Sequence, residues 1–221
     1  MSTGFSCDVY ANSKSYWNSV DADVSGMLGG LTTISEDDVK DSKKFIQELR
    51  EKFDLSTVRA IDCGSGIGRV TKHVLIPYCS TVDMVDTTDK FIETSKAYIG
   101  ESLESKIGQR TTCGLQDYHF KGQYDLIWAQ WVLAYLTDSD LVSFLQRCAK
   151  ALSPSGFIVA KENVSTKTKL DWDNIDHSWT RSRTLWVDIF AEAGLKIFHE
   201  RTQSNFPCDL YQVRMFALRE H

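Results

Sequence analysis

From residue 58 onward the chain alternates between two hydrophobic patterns. Val58-Arg59-Ala60-Ile61-Asp62 is rich in β-formers and ends in a glycine cluster, which predicts a strand. Residues 68–76 then read as a helix, stopped near Pro77, whose ring removes a backbone donor. Thr81 to Val85 predicts a second strand ending at Asp86, and 88–99 a helix closed by Gly100. A third, more polar strand is expected over 108–113, and a strongly apolar fourth from Tyr124 to Ala129. Residues 138–152 predict a helix closed by Pro154-Ser155-Gly156, followed by a fifth strand, Phe157 to Ala160. A polar insert covers 164–178. Residues 179–193 predict a helix ending at Gly194, and two last strands, 195–202 and 210–218, follow with no helix between them.

Strands alternating with helices imply a parallel sheet covered on both faces. The expected fold is therefore α/β and Rossmann-like: a mostly parallel, seven-stranded sheet whose last two strands pair antiparallel. Ligands in such sheets bind at the carboxyl ends of the strands.

The chain before residue 55 has a different pattern. Tyr10, Tyr16 and Trp17 lie in a short predicted helix, which Gly26-Met27-Leu28-Gly29-Gly30 cannot continue. A longer helix is expected from Ser35, as N-cap, with acids in its first turn and an apolar stripe of Val39, Phe45, Ile46, Leu49 and Phe53. Residues 1–54 are expected to be a helical extension packed on a core of 55–221, with a substrate-binding insert at about 164–178.

Composition narrows the function. Hydrophobic residues make up 42% and aromatics 11%, with six Trp, enough for a real core and a binding surface. The net charge of −5 argues against a domain that lives on nucleic acid. The six cysteines (7, 63, 79, 113, 148 and 208) have no CxxC spacing and no nearby His at ligand spacing, so no metal site is expected. No secretory signal or long apolar run is present, which predicts reduced thiols and no membrane span.

The candidate chemistry sits after the strands. Asp62-Cys63-Gly64-Ser65-Gly66-Ile67-Gly68 joins the first strand to its helix, and Asp86 lies 22 residues beyond Gly64, where an acid can accept from both ribose hydroxyls. A dinucleotide fingerprint would need Gly or Ala at position 69, which is Arg69. The G-x-G-x-G spacing with a leading acid resembles motif I of Rossmann-like methyltransferases that use S-adenosylmethionine. In that reading Asp62 and the loop receive the amino acid part, Asp86 the ribose and Arg69 the carboxylate. Gly114-Leu115-Gln116-Asp117 lies where adenine is held, Gln130-Trp131 follows the fourth strand, and Trp128 belongs to the core.

A closer resemblance spans about residues 10–219. Tyr16-Trp17, Gly26 to Gly30, Asp62 to Arg69, Val82 to Asp86, Cys113 to Asp117, Ile127 to Trp131, Lys161-Glu162-Asn163 and Phe216 to Arg219 recur in order. Together they resemble the eukaryotic protein N-terminal methyltransferases, which modify the α-amine of proteins starting Xaa-Pro-Lys or Xaa-Pro-Arg after Met removal. The resemblance implies S-adenosylmethionine as cofactor, S-adenosylhomocysteine as product, protein substrates, no membrane or direct nucleic-acid partner, and residence in nucleus and cytoplasm. It implies cofactor contacts at Gly64, Arg69, Asp86, Thr88, Leu115, Gln116 and Gln130. It implies a peptide channel shaped by Trp17, Leu28, Ile34, Trp131, Asn163, Leu210 and Tyr211. Asp173, Asp176 and Ser178 would receive the third-residue cation and the amine end. Asp176 is the candidate base, Asn163 would hold the amine, and Trp131, Leu28 and Ile34 would pack on the proline ring.

One departure concerns catalysis. Where the family usually carries a His, one helical turn after Gln-Trp, this chain has Tyr135, a poorer base at neutral pH. That shifts weight to Asp176, to the neighbouring His177 or to solvent, and it bears on how many methyls are added. The competing reading is a methyltransferase for a small molecule, distinguished by whether Trp17, Trp131, Asn163 and Asp173 line one acidic channel. An oxidoreductase is disfavoured by Arg69 and a degenerate binding module by the intact glycines and Asp86.

Overall fold

The protein is described by a computed structural model covering residues 5–167 and 170–220. Its strands are β1 (Arg59–Cys63), β2 (Thr81–Asp86), β3 (Ile107–Thr112), β4 (Tyr124–Gln130), β5 (Leu152–Ser165), β6 (Asp171–Asp173), β7 (Ser178–Ser182), β8 (Lys196–Thr202) and β9 (Gln212–Arg219). The helices are α1 (Phe5–Ser19), α2 (Val24–Met27), α3 (Ser35–Phe53), α4 (Asp89–Ile99), α5 (Glu101–Glu104), α6 (Asp138–Lys150) and α7 (Arg183–Glu192). The seven strands foreseen run in the order β3-β2-β1-β4-β5-β9-β8, parallel from β3 to β5, with β9 antiparallel to both β5 and β8.

Both faces of this sheet are buried, which is why its central strands read as continuous apolar runs. One face sends Ile61, Cys63, Ile127, Ala129, Ile158 and Phe216 against Leu141, Phe144 and Leu145 of α6 and Trp186 and Phe190 of α7. The other sends Ala60, Met84, Leu126, Trp128, Phe157 and Val159 against Phe45, Ile46 and Leu49 of α3 and Val70, Val74 and Leu75. Trp128 is fully buried.

Several boundaries differ from expectation. Ser35 is not the N-cap of α3. A 3-10 turn, Thr32–Ile34, runs straight into the helix, so Ile34 takes the cap position with helical φ and ψ. Position α6 ends at Lys150, and Pro154-Ser155-Gly156 lies in a bulge within β5, where pairing jumps from Tyr124↔Leu152 to Leu126↔Phe157. The helix after the glycine loop contains a π-helical stretch, Thr71–Leu75, with the Ile76 N–H on Thr71 O at 2.9 Å.

The polar insert is where the sequence misled most. It contains the β6–β7 hairpin, which joins β5 only at Val164 and Ser165. Its cross-strand pair Trp172↔Trp179, with ring centroids 4.7 Å apart, stabilises a ribbon whose other residues are polar. α7 consequently begins at Arg183, where the Ser182 hydroxyl accepts from the Leu185 N–H at 3.3 Å.

Candidate active site

The glycine loop between β1 and its helix follows a path that side chains resist. Gly64 has φ 75° and Gly66 φ 53°. A Cβ at Gly64 would lie 2.5 Å from Val132, and one at Gly66 2.5 Å from Met27 Sδ. The loop is thus wedged between the turn after β4 and Met27 of the Gly26–Gly30 segment, which explains the need for glycine at 64 and 66. Asp86 ends β2 beside it. Its Oδ2 accepts the Gly66 N–H at 2.8 Å and its Oδ1 the Thr88 N–H at 2.9 Å. Burial pushes the Asp86 carboxyl above its ordinary value, and those amides pull it partly back.

A cavity of about 330 Å³ opens at the carboxyl ends of the strands. Of the residues expected at the cofactor, Gly64, Arg69, Asp86, Leu115, Gln116 and Gln130 line it. So do Trp17, Leu28, Ile34, Trp131, Asn163, Leu210 and Tyr211 of the expected channel, together with Tyr135. Thr88 does not line the wall; Thr87 does. Thr88 is fully buried and acts through its N–H on Asp86. Asp62 is also set back: it is buried, accepts the Thr71 hydroxyl at 2.6 Å, and burial raises its carboxyl to about 6. Asp62, expected to receive part of a ligand, is not in the cavity wall, and its Oδ2 is held by Thr71.

Arg69 is only 4% exposed and its guanidinium meets Asp38 at 2.8 Å. Asp38 also takes Lys161 Nζ at 2.6 Å and Gln130 Nε2 at 2.8 Å. Burial alone would raise Asp38, but Lys161 and Arg69 outweigh it and hold the carboxyl below its ordinary value. Gln130 is committed at both ends, since its Oε1 accepts the Trp128 indole N–H at 3.1 Å. Asp38 is the organising residue that sequence reasoning missed. It reads as one of three acids in the first turn of α3, and only tertiary contact distinguishes it.

The insert forms the other side of the mouth. The Tyr135 hydroxyl donates to Asp176 Oδ2 at 2.8 Å, and the Ser178 N–H donates to Asp176 Oδ1 at 3.0 Å. Burial, then the charge of Asp176, pushes the Tyr135 phenol well above its ordinary value, so it stays protonated. Trp17 packs edge-on against Tyr135 and Phe91, with centroids 5.8 and 6.2 Å away. Asp173, Asp176 and Ser178 are not in the cavity wall. Asp173 is exposed and accepts the Ile175 N–H at 2.7 Å. Burial, then the charges of Asp176 and Asp173, raise the Tyr16 phenol. His177 packs on Trp172 at 5.7 Å, outside the wall. Of the four residues chosen to separate a peptide channel from a small-molecule site, three line the cavity and the acid stands outside it.

The site suits a nucleoside with an amino acid tail. The glycine loop permits close backbone approach, Asp86 is oriented, and Leu115 offers an apolar wall. Ser65 Oγ and Trp131 Nε1 are buried polar atoms in that wall with no partner among the described residues, the kind of group a ligand satisfies.

The same architecture recurs in a SAM-dependent methyltransferase from Leishmania major, at TM-score 0.90 and 35% identity over 95% of this chain and 82% of that one. Fold and site define an S-adenosylmethionine-dependent methyltransferase. The family model described as AdoMet dependent proline di-methyltransferase matches residues 6–219, and the chain belongs to that family. It is 44% identical to Alpha N-terminal protein methyltransferase 1 of Caenorhabditis elegans, over 96% of this chain and 91% of that protein. It is equally 44% identical to N-terminal Xaa-Pro-Lys N-methyltransferase 1-B of Xenopus laevis, over 95% of each.

Proposed function

We propose that this enzyme methylates the α-amino group of proteins that begin Xaa-Pro-Lys or Xaa-Pro-Arg after Met removal. One observation carries the reading: the glycine loop and Asp86 share a single cavity with Trp17, Leu28, Trp131 and Asn163. A methyl donor and an inserted chain end would therefore meet in one space. The cofactor, when bound, supplies an electrophilic methyl on a sulfonium; Gly64, Arg69, Asp86, Leu115, Gln116 and Gln130 would hold it, with Thr88 acting through Asp86.

The protein's task is alignment and desolvation. An α-amine has a pKa near 8, so its proton leaves readily near neutrality. Asn163 would accept from that amine through its side-chain oxygen. Trp131, Leu28 and Ile34 would pack on the ring of the second residue, and Leu210 and Tyr211 would line the path outward. Asp176, oriented by Tyr135 and Ser178, is the proton acceptor, directly or through water. Tyr135 orients and does not take the proton, because its phenol stays protonated. Asp173, at the acidic rim, would pair with the third-residue cation. Residence in nucleus and cytoplasm is part of this proposal, and Tyr10, Trp17, Leu28 and Ile34, which line the cavity, would form one wall of the channel.

The test is mass spectrometry of a Ser-Pro-Lys peptide incubated with enzyme and S-adenosylmethionine, beside the same peptide with a blocked α-amine. Increments of one methyl on the free peptide alone are expected, and their number reads the product state. No increment, with cofactor binding intact by calorimetry, would redirect the assignment to another methyl acceptor.

A further inference from the structure

Four non-glycine residues in the described chain have positive φ, and Trp131, at 53°, is the one in the cavity wall. For a large aromatic this backbone is costly and persists only where neighbours impose it. Three consecutive amides do so. The Trp131 N–H donates to Lys161 O at 3.0 Å, and the Val132 and Leu133 N–H groups both donate to Glu162 Oε1, at 2.9 and 2.8 Å. Successive amides converging on one anion form a nest. Here the anion is the chain's own carboxylate, on a residue 1% exposed.

The carbonyl side of the same turn is held by a buried cation. Arg181, fully buried on β7, donates to Leu133 O at 3.4 Å and Leu136 O at 2.8 Å, and pairs with Asp138 at 2.6 Å. The segment 131–136 carries both Trp131 and Tyr135, and it is clamped between an anion and a cation that stand outside the cavity wall.

We propose that Glu162, with Arg181 opposite, is a positioning residue for the peptide site: its carboxylate fixes the turn that presents the Trp131 indole. The inference rests on the proposed function for what Trp131 touches, but not for the link between Glu162 and Trp131. That link has a consequence near neutral pH. Burial raises the Glu162 carboxyl to about 7, against the pull of the Leu133 and Val132 amides and of Arg181. Arg181 and, on the clamped turn, Tyr135 both feel this charge. Protonation weakens a charge-assisted grip, so the turn loosens as pH falls through that value.

The experiment follows the indole N–H resonance of Trp131 in ¹⁵N-labelled full-length enzyme, assigned by Trp131→Phe, with no peptide or cofactor present. In the wild type it is expected to titrate with a midpoint near the Glu162 value of about 7, and Glu162→Gln should abolish that titration. Glu162→Gln is further expected to raise peptide KM about fivefold. An indole that does not titrate near neutrality, or a titration that survives Glu162→Gln, overturns the proposal. Loss of the titration with an unmoved peptide KM upholds the Glu162–Trp131 link and removes Trp131 from the peptide contact.

Discussion

Tyr135 and Asp176 are joined by a 2.8 Å hydrogen bond at the cavity mouth, the phenol donating to a carboxylate whose other oxygen already takes the Ser178 amide. The bond ties the turn after β4 to the β6–β7 hairpin and aims a carboxylate without adding a second base. Removing the donor should cost alignment and leave cofactor binding alone. Tyr135→Phe is expected to lower kcat about fivefold, the effect of losing roughly 1 kcal/mol of orienting hydrogen bond, with S-adenosylhomocysteine affinity unchanged by calorimetry. Tyr135→His should add an ionisation near the ordinary imidazole value of about 6.5 to the pH–rate profile, beside those of the amine and of Glu162 that the wild type already carries. An identical profile in both enzymes would show that a base at position 135 does not reach the amine proton.

Asp38 carries a different weight. It balances two buried cations, Arg69 and Lys161, on one carboxylate that is itself fully buried. Asp38→Asn leaves both cations without their counter-charge, which typically costs about 3–5 kcal/mol. Urea unfolding should report that loss, and cofactor affinity should fall with it because Arg69 and Gln130 lose their shared anchor. Combining Asp38→Asn with Lys161→Met is expected to recover part of the stability. Recovery of stability without recovery of cofactor affinity would separate the site role of Asp38 from its core role.

The parallel strands were legible because burial on both faces forces apolar runs, as in Tyr124 to Ala129. The glycine loop was legible because Gly64 and Gly66 hold positive φ close against Val132 and Met27, which any side chain meets only at a cost. Asp38 was not legible: an acid in a first helical turn is fully explained by the helix dipole, and nothing local marks the one that meets Arg69. The β6–β7 hairpin was hidden because its strands are polar and its stabilising pair, Trp172 and Trp179, lies across the turn rather than along the chain. Ser35 misled because the preceding 3-10 turn already supplies helical geometry at Ile34.

Asp62 should appear in the pH dependence of stability. Burial raises its carboxyl from the ordinary value to about 6. Between roughly pH 4 and 6 the folded protein therefore binds more protons at this site than the unfolded chain does. The sign follows: stability from this group is highest below the unfolded value and declines as pH rises through the folded one. A shift of about two units corresponds to about 3 kcal/mol across that window. Asp62→Asn keeps an acceptor for the Thr71 hydroxyl but cannot titrate, so denaturant midpoints measured across that range should give a flatter profile. An unchanged slope would mean that the Asp62 carboxyl is not raised.

Gly66 offers a test of whether the loop path or the space beside it governs cofactor binding. Its Cβ would meet Met27 Sδ at 2.5 Å, a flexible neighbour that can move aside, but its φ of 53° imposes about 1–2 kcal/mol on any other residue. Relieving that strain would draw the Gly66 N–H away from Asp86, to which it donates at 2.8 Å. Gly66→Ala is expected to lose about 1–2 kcal/mol of stability and at least about tenfold in S-adenosylhomocysteine affinity, the effect of roughly 1.4 kcal/mol. Gly100→Ala supplies the control, because Gly100 also has positive φ, at 87°, but has no neighbour within 4 Å and lies outside the cavity wall. With its ψ of 152° in a region open essentially to glycine alone, it should lose at least as much stability with affinity intact. If both variants lose affinity equally, the effect is global softening, and the Gly66–Asp86 contact is not what orders the site.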